Sequence, residues 1–311
     1  MKINSINTYI PIYKNNTSRS FNNKVQNDVF VKTEQVSFCR KKKSRADMIK
    51  DFARDVKKYY FDEPFDHKAI EKLIQKDVKD VSVKDFSEIK CSYRLPEDFM
   101  GLYGEEIFFD EEKKLFGCVD RTLYLKDPNE GEYSKATYYA NCVHEYTHLL
   151  QSEDKEMSEI VFLNKLLKKS KAPLKTILNT IGYAPAYAVE TEKAIKKPIF
   201  DSIDNEILFS KYLKKKPSVS EVYADNGINN IKKYALSIID ENAKKYSEKY
   251  DDIDETILKE FVFEHFRKEN EAYEVDFETY KKVEPNMCKS SLQWDKLAKV
   301  QLYRLLAGLK N

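Results

Sequence analysis

Two histidines, His144 and His148, stand four positions apart with Glu145 directly after the first, in the string Asn141-Cys142-Val143-His144-Glu145-Tyr146-Thr147-His148-Leu149-Leu150-Gln151. In a helix, residues four apart lie about 40° from each other around the axis, so both imidazoles converge on one point. Imidazole is the commonest metal ligand among side chains, and H-E-x-x-H on a helix binds zinc with the glutamate as general base. Glu145 is turned from His144 by about one hundred degrees, off the ligand pair yet within reach of a water on the ion. The reverse side, Tyr139, Cys142, Val143, Tyr146, Leu149 and Leu150, is apolar or aromatic and can seat the helix in a core. Only four histidines occur in 311 residues, so two within one turn make a specific signal.

A hydrolytic zinc site needs a third protein ligand and an open position. The residues after His148 (LLQSEDKEMS) exclude the continuation H-E-x-x-H-x-x-G-x-x-H, so a carboxylate from further along the chain is expected. Two compete. Glu269 is centred on a stripe formed by Leu258, Val262, His265, Ala272, Tyr273, Asp276 and Tyr280, all within about sixty degrees of it, while Glu271 points the other way. A carboxylate on so apolar a face is costly unless it is paired or bound to a cation. Glu190 shares a face with Tyr183, Ala186, Tyr187 and Ala194 in a short helix bounded by Pro185 and Pro198. His265, one turn before Glu269, reads as a core histidine, or else as a donor behind or beside the metal. Tyr273, one turn after it, is a candidate transition-state donor, and His67, beside Asp66, is a surface residue.

The HExxH turn with a glutamate on a later helix resembles the gluzincin class of zinc metallopeptidases. The string Glu269-Asn270-Glu271-Ala272-Tyr273 is similar to the E-x-x-A pattern with which several gluzincin-like families present the third ligand, whereas Glu190 follows the motif at the interval more usual for the class. This resemblance covers the HExxH turn and one later helix. It implies zinc as cofactor, His144, His148 and Glu269 as ligands with Glu190 the rival third, Glu145 as general base, and a peptide or protein substrate. It also implies an α+β, mostly helical zincin-like fold with a small β-sheet before the HExxH helix. The strand Thr122 to Lys126 resembles in position the edge strand offered to an extended substrate.

The elements that must position these groups follow from periodicity. Residues 1–44 lack a sustained apolar period and end in the basic run Arg40, Lys41, Lys42, Lys43, Arg45, as in a disordered tail. Residues 45–311 read as one α+β domain. Within it, 45–95 carries N-terminal helices, with Met48, Phe52, Val56 and Tyr60 at helical spacing and then Ile70, Leu73 and Ile74. Residues 96–152 hold a small sheet and the HExxH helix: EEIFFD, a charged turn at Glu111 to Lys114, KLFGCV and TLYLK, then a turn at Asp127 to Gly131 and a helix from near Ser134. Residues 153–311 read as helix after helix, broken near Lys171 to Pro173, Pro185, Pro198, Pro217 and Pro285.

Composition removes other classes. Seven glycines and nine prolines, with no G-x-G-x-x-G or P-loop string, argue against Gly-rich nucleotide-binding designs. A formal charge of +2 singles out neither nucleic acid nor an anionic surface as partner. Five cysteines without a C-x-x-C pair indicate neither a disulfide framework nor a cysteine zinc finger. There is no apolar leader core and no membrane-length apolar run, so the expected location is cytoplasmic, or outside the cell by a leaderless route. Two other readings remain. One is an inactive zincin-like scaffold that binds a partner through its C-terminal amphipathic segment (Leu292, Leu297, Val300, Leu305, Leu306); the other is a nucleic-acid-associated protein using the basic tail. Neither substrate specificity nor oligomeric state is encoded in these motifs.

Overall fold

Ser44 opens the first helix, α1 (Arg45–Phe61): its Oγ accepts the Asp47 N–H at 3.2 Å, satisfying one of the donors a helix start leaves unpaired. Met48, Phe52 and Val56 all face the core, as their spacing requires. The computed structural model describes residues 43–61, 68–70, 72, 86–91, 101–110, 112–125, 134–152, 158–169, 188, 190–196, 227–249, 253–285 and 291–310. The expected tail over 1–42, His67, the second helix beyond residue 72 and the breaks near residues 171–187 and 197–226 lie outside them. Lys43 and Arg45 at the end of the basic run belong to the ordered chain, where Lys43 pairs with Asp51 and Arg45 begins α1.

Three strands form one sheet in the order β1-β3-β2, with β1 (Phe86–Cys91), β2 (Gly101–Asp110) and β3 (Leu115–Leu125). The β2–β3 hairpin turns where expected: Asp110 Oδ1 accepts the N–H groups of Glu112 and Lys113, each at 3.0 Å, and Lys114 takes a left-handed φ of 53°. Two expectations need correction. The segment 45–95 is not helical throughout, because β1 lies in it and pairs parallel to β3. That pairing depends on chain distant in sequence, and six residues, FSEIKC, carry too little period to announce it. Nor is Thr122 to Leu125 an edge strand: β1 flanks it on one side and β2 on the other, which leaves β2 at the edge of the sheet among the described residues.

The HExxH helix, α2 (Lys135–Ser152), starts at Ser134, whose Oγ accepts the Thr137 N–H. It is buried on nearly every side. Among the described residues there follow α3 (Glu159–Lys169), α4 (Gly227–Lys249), α5 (Glu255–Val283), α6 (Ser291–Ala307) and a 3-10 turn, Gly308–Lys310, with residues 190–196 also helical. Asp254 caps α5 by accepting the Thr256 N–H at 2.7 Å. The fold is α+β, mainly helical with one small sheet.

Two cores flank α2. In one, Phe52, Val56, Leu123, Tyr146 and Leu149 join α1, the sheet and α2, and the rings of Phe52 and Tyr146 stack at 3.8 Å. In the other, Leu166, Ile239, Val262, Phe266 and Leu306 join α3, α4, α5 and α6. Each such side chain contributes about 1.5–3 kcal/mol on full burial, so α2 is held rigidly from behind and its ligand face is turned toward α5. Leu302, Tyr303 and Leu306 of α6 are buried in the same core, and Val300 is buried as well. Of the C-terminal amphipathic face, Val300 and Leu306 are thus buried and Leu305 packs beside them. No helix among the described residues is long and apolar enough to cross a membrane.

Candidate metal centre

The reverse face of α2 behaves as its pattern requires: Tyr139, Cys142, Val143, Tyr146, Leu149 and Leu150 are all buried. That seating turns His144 and His148 toward α5, with their Nε2 atoms 3.1 Å apart. Glu269 of α5 meets them there, one carboxylate oxygen 3.4 Å from His148 Nε2 and the other 3.7 Å from His144 Nε2. Two ligand atoms at about 2.05 Å from a tetrahedral ion are separated by about 3.3 Å. The three observed spacings scatter around that value, and one ligand atom from each residue lies within 4.8 Å of the others. Among the described residues this is the group of histidine and carboxylate side chains arranged to hold a metal ion.

The electrostatics suit a cation. Burial, aided by His148, drives the His144 imidazole well below the usual histidine range, and burial likewise lowers His148 although the Glu269 charge opposes it. Both rings are therefore neutral with lone pairs to offer, which is the ligand form. Glu145 is buried beside them, and burial together with the Glu269 charge pushes its carboxyl up to about 8. A cation at Glu269 would offset that repulsion and favour the Glu145 carboxylate near neutral pH.

Glu145 is held from the sheet. The Tyr103 N–H of β2 donates to its Oε2 at 2.8 Å, leaving Oε1 available. Strand and helix approach this closely because position 101 is glycine: a Cβ there would lie 2.2 Å from Asn141 Nδ2 and 2.9 Å from Glu145 Cγ. Sequence reasoning missed both strand residues, because nothing local marks β2 as the neighbour of α2.

Behind His148 runs a chain of polar contacts. His148 Nδ1 and Gln151 Oε1 are 2.9 Å apart; Gln151 Nε2 donates to Glu271 Oε2 and to the Lys268 carbonyl, each at 3.0 Å. Arg45 grips Glu271 through two 2.9 Å bonds. A hydrogen bond at Nδ1 fixes the tautomer that presents Nε2 to a metal. Glu271, which points away from Glu269 as its place on the helix requires, thus ties α1, α2 and α5 together behind the site. If the cluster holds a metal ion, Gln151→Ala is expected to weaken affinity for added zinc by about 10- to 100-fold with both imidazoles still present. Competition with a chromogenic chelator measures this, and unchanged affinity would count against the positioning role. Gln151 had a visible signal, three residues after His148; the Arg45–Glu271 pair had none.

Glu190 lies on the surface, where the Tyr246 hydroxyl donates to it at 2.7 Å, so the structure brings Glu269 and not Glu190 to the histidine pair. Two residues later, Glu192 turns inward. Burial raises its carboxyl, but His265 and Lys196 outweigh that and bring it down to about 2. His265 Nε2 is 3.6 Å from Glu192, and despite its burial the imidazole is raised by Glu192 and Glu269. His265 thus faces the Glu192 carboxylate one turn before Glu269, and is not surrounded by apolar groups alone. Tyr273 stands closer, its ring edge-on to His144 at 4.6 Å.

Compared with protein-family models, with curated proteins and with solved structures, the chain matches none. The chemistry of the site itself therefore carries the functional reading.

Proposed function

We propose that this chain is a zinc-dependent metallopeptidase of gluzincin type, with His144, His148 and Glu269 as zinc ligands and Glu145 as general base. The observation that carries the reading is the convergence of two neutral imidazoles and a carboxylate at spacings near those of tetrahedral coordination, next to a buried second carboxylate. When bound, zinc supplies Lewis acidity, polarising a carbonyl oxygen and making hydroxide available near pH 7.

The chain's own groups do the rest. Glu145 receives a proton at the oxygen not held by Tyr103 and hands it to the departing amine. Gln151 keeps the His148 ring aligned, and the Arg45–Glu271 pair keeps Gln151 aligned. The edge of β2, unpaired with another strand among the described residues and beside Glu145, is the stretch of backbone to which an extended peptide would add as a further strand. The alternative of an inactive interaction scaffold rested on a C-terminal amphipathic face, of which Leu305 and Leu306 pack into the core shared with α5. The test is hydrolysis of a quenched-fluorescence peptide library by zinc-loaded protein, with Glu145→Gln beside it. Stoichiometric zinc with no cleavage of any member would reject the enzymatic reading.

A further inference from the structure

Beyond the metal ligands, α5 and α6 enclose a stack of rings flanked by lysines. Tyr273, edge-on to His144, stacks on Tyr303 at 4.8 Å and 14° between planes. Lys299 Nζ lies over the Tyr273 ring at 5.3 Å, and Lys196 Nζ over the Tyr303 ring at 5.2 Å. The two outer cations of this group are matched: Lys296 is bonded to both oxygens of Asp276 at 2.7 and 2.8 Å, and Lys196 is paired with Glu192, which His265 shares. Lys299 is not. No carboxylate among the described residues lies within ion-pair distance of it; Asp276 and Glu192 act on it only from further off, and the face of Tyr273 lies against its ammonium.

An ammonium group in this position is unfavourable as it stands. Lys299 is largely withdrawn from water, and burial together with the ammonium groups of Lys196 and Lys296 pulls its pKa down, outweighing the more distant Asp276 and Glu192. Long lysine stems ordinarily carry the charge out to solvent. Here the charge stays over a ring that touches a metal ligand, while Tyr273 and Lys299 both keep part of their surface open. The arrangement has one positive charge too many and a way in, which is the electrostatic demand of an anionic ligand.

Resting on the metallopeptidase reading, we infer that Lys299 is a specificity-determining residue that binds a carboxylate of the substrate beside the metal centre. That carboxylate has two sources, the free C-terminus of a peptide or an acidic side chain near the cleaved bond. Lys299 meets either one as a point charge, with Tyr273 as the wall of the subsite.

Calorimetric titration tests this with two probe pairs. One is acetyl-Ala-Ala-Phe and its C-terminal amide; the other is acetyl-Ala-Glu-amide and acetyl-Ala-Gln-amide. Both are titrated into wild type and Lys299→Met, each zinc-loaded and zinc-free. Wild type is expected to prefer the charged member of one pair by about tenfold or more, and which pair responds identifies the source. Lys299→Met, which keeps the stem, should lose that preference at unchanged zinc content, and Lys299→Arg should keep part of it. Absence of preference in wild type overturns the inference without any variant. So does a preference that survives Lys299→Met, since the metal itself would then be binding the carboxylate. Failure to bind zinc would sink the metallopeptidase reading, while the zinc-free titration would still decide the role of Lys299.

Discussion

Glu145→Gln should reduce peptide hydrolysis by about 10³-fold or more while zinc content stays at the wild-type level. The amide has nearly the shape of the carboxyl and still offers an oxygen to the Tyr103 N–H, so the β2–α2 contact survives. It cannot take up a proton, and general-base catalysis is worth about 10²–10⁴-fold. Nor does it remove one of the proposed ligands, since His144, His148 and Glu269 are the group that could hold the ion. Activity within about tenfold of wild type in the zinc-loaded variant would take the role away from Glu145.

The same substitution has a signature that needs no substrate. In the metal-free chain the Glu145 carboxyl is raised to about 8, by burial first and by Glu269 second. A carboxyl whose folded pKa lies above its unfolded value costs stability as it ionises: the folded state binds more protons, so stability falls as pH rises from about 4.5 to about 8 and is level beyond. The amide does not titrate. Metal-free Glu145→Gln should therefore melt progressively higher than metal-free wild type as pH rises across that window, by up to a few kcal/mol in stability. Parallel melting profiles from pH 5 to pH 8 would show that Glu145 is not buried against Glu269.

Glu269→Ala should weaken zinc binding by more than about 100-fold, beyond what loss of a residue behind a ligand typically costs, while Glu190→Ala should leave it unchanged. The first variant leaves two imidazoles and opens a coordination position to water. The second removes a surface carboxylate whose partner is Tyr246. Both are read by competition with a chromogenic chelator and by metal analysis after gel filtration. Equal retention by the two variants would exclude Glu269 as the third ligand, and selective loss in Glu190→Ala would reverse the assignment. Because Glu269 helps to raise Glu145, metal-free Glu269→Ala should also show a weaker pH-dependent loss of stability between about pH 4.5 and 8 than wild type.

Much of this site is local in origin. His144, Glu145 and His148 depend on helical spacing alone, and the six apolar residues behind them explain why the ligand face turns inward. Glu269 was legible as a carboxylate centred on an apolar stripe, a stripe that is indeed buried at Leu258, Val262, Ala272, Asp276 and Tyr280. The β2–β3 hairpin was legible too, because its turn chemistry lies within five residues. Each of these signals is a periodicity or a cap inside one element.

The remainder lies between elements. Periodicity leaves Glu190 and Glu269 as rivals, since each sits on a helix with an apolar side; only the packing of α2 against α5 brings one to the histidines and leaves the other in solvent. The central place of β3 follows from its pairing with β1, and Arg45 joins Glu271 from across most of the chain. The lone cation Lys299 becomes unusual only when Asp276 and Glu192 are found to be taken by its neighbours. From its residues alone this chain determines which groups can perform chemistry, because spacing within a helix or turn is set by the backbone. Which of them meet, and which charge goes unmatched, was decided by tertiary packing, because such contacts join residues that no local period relates.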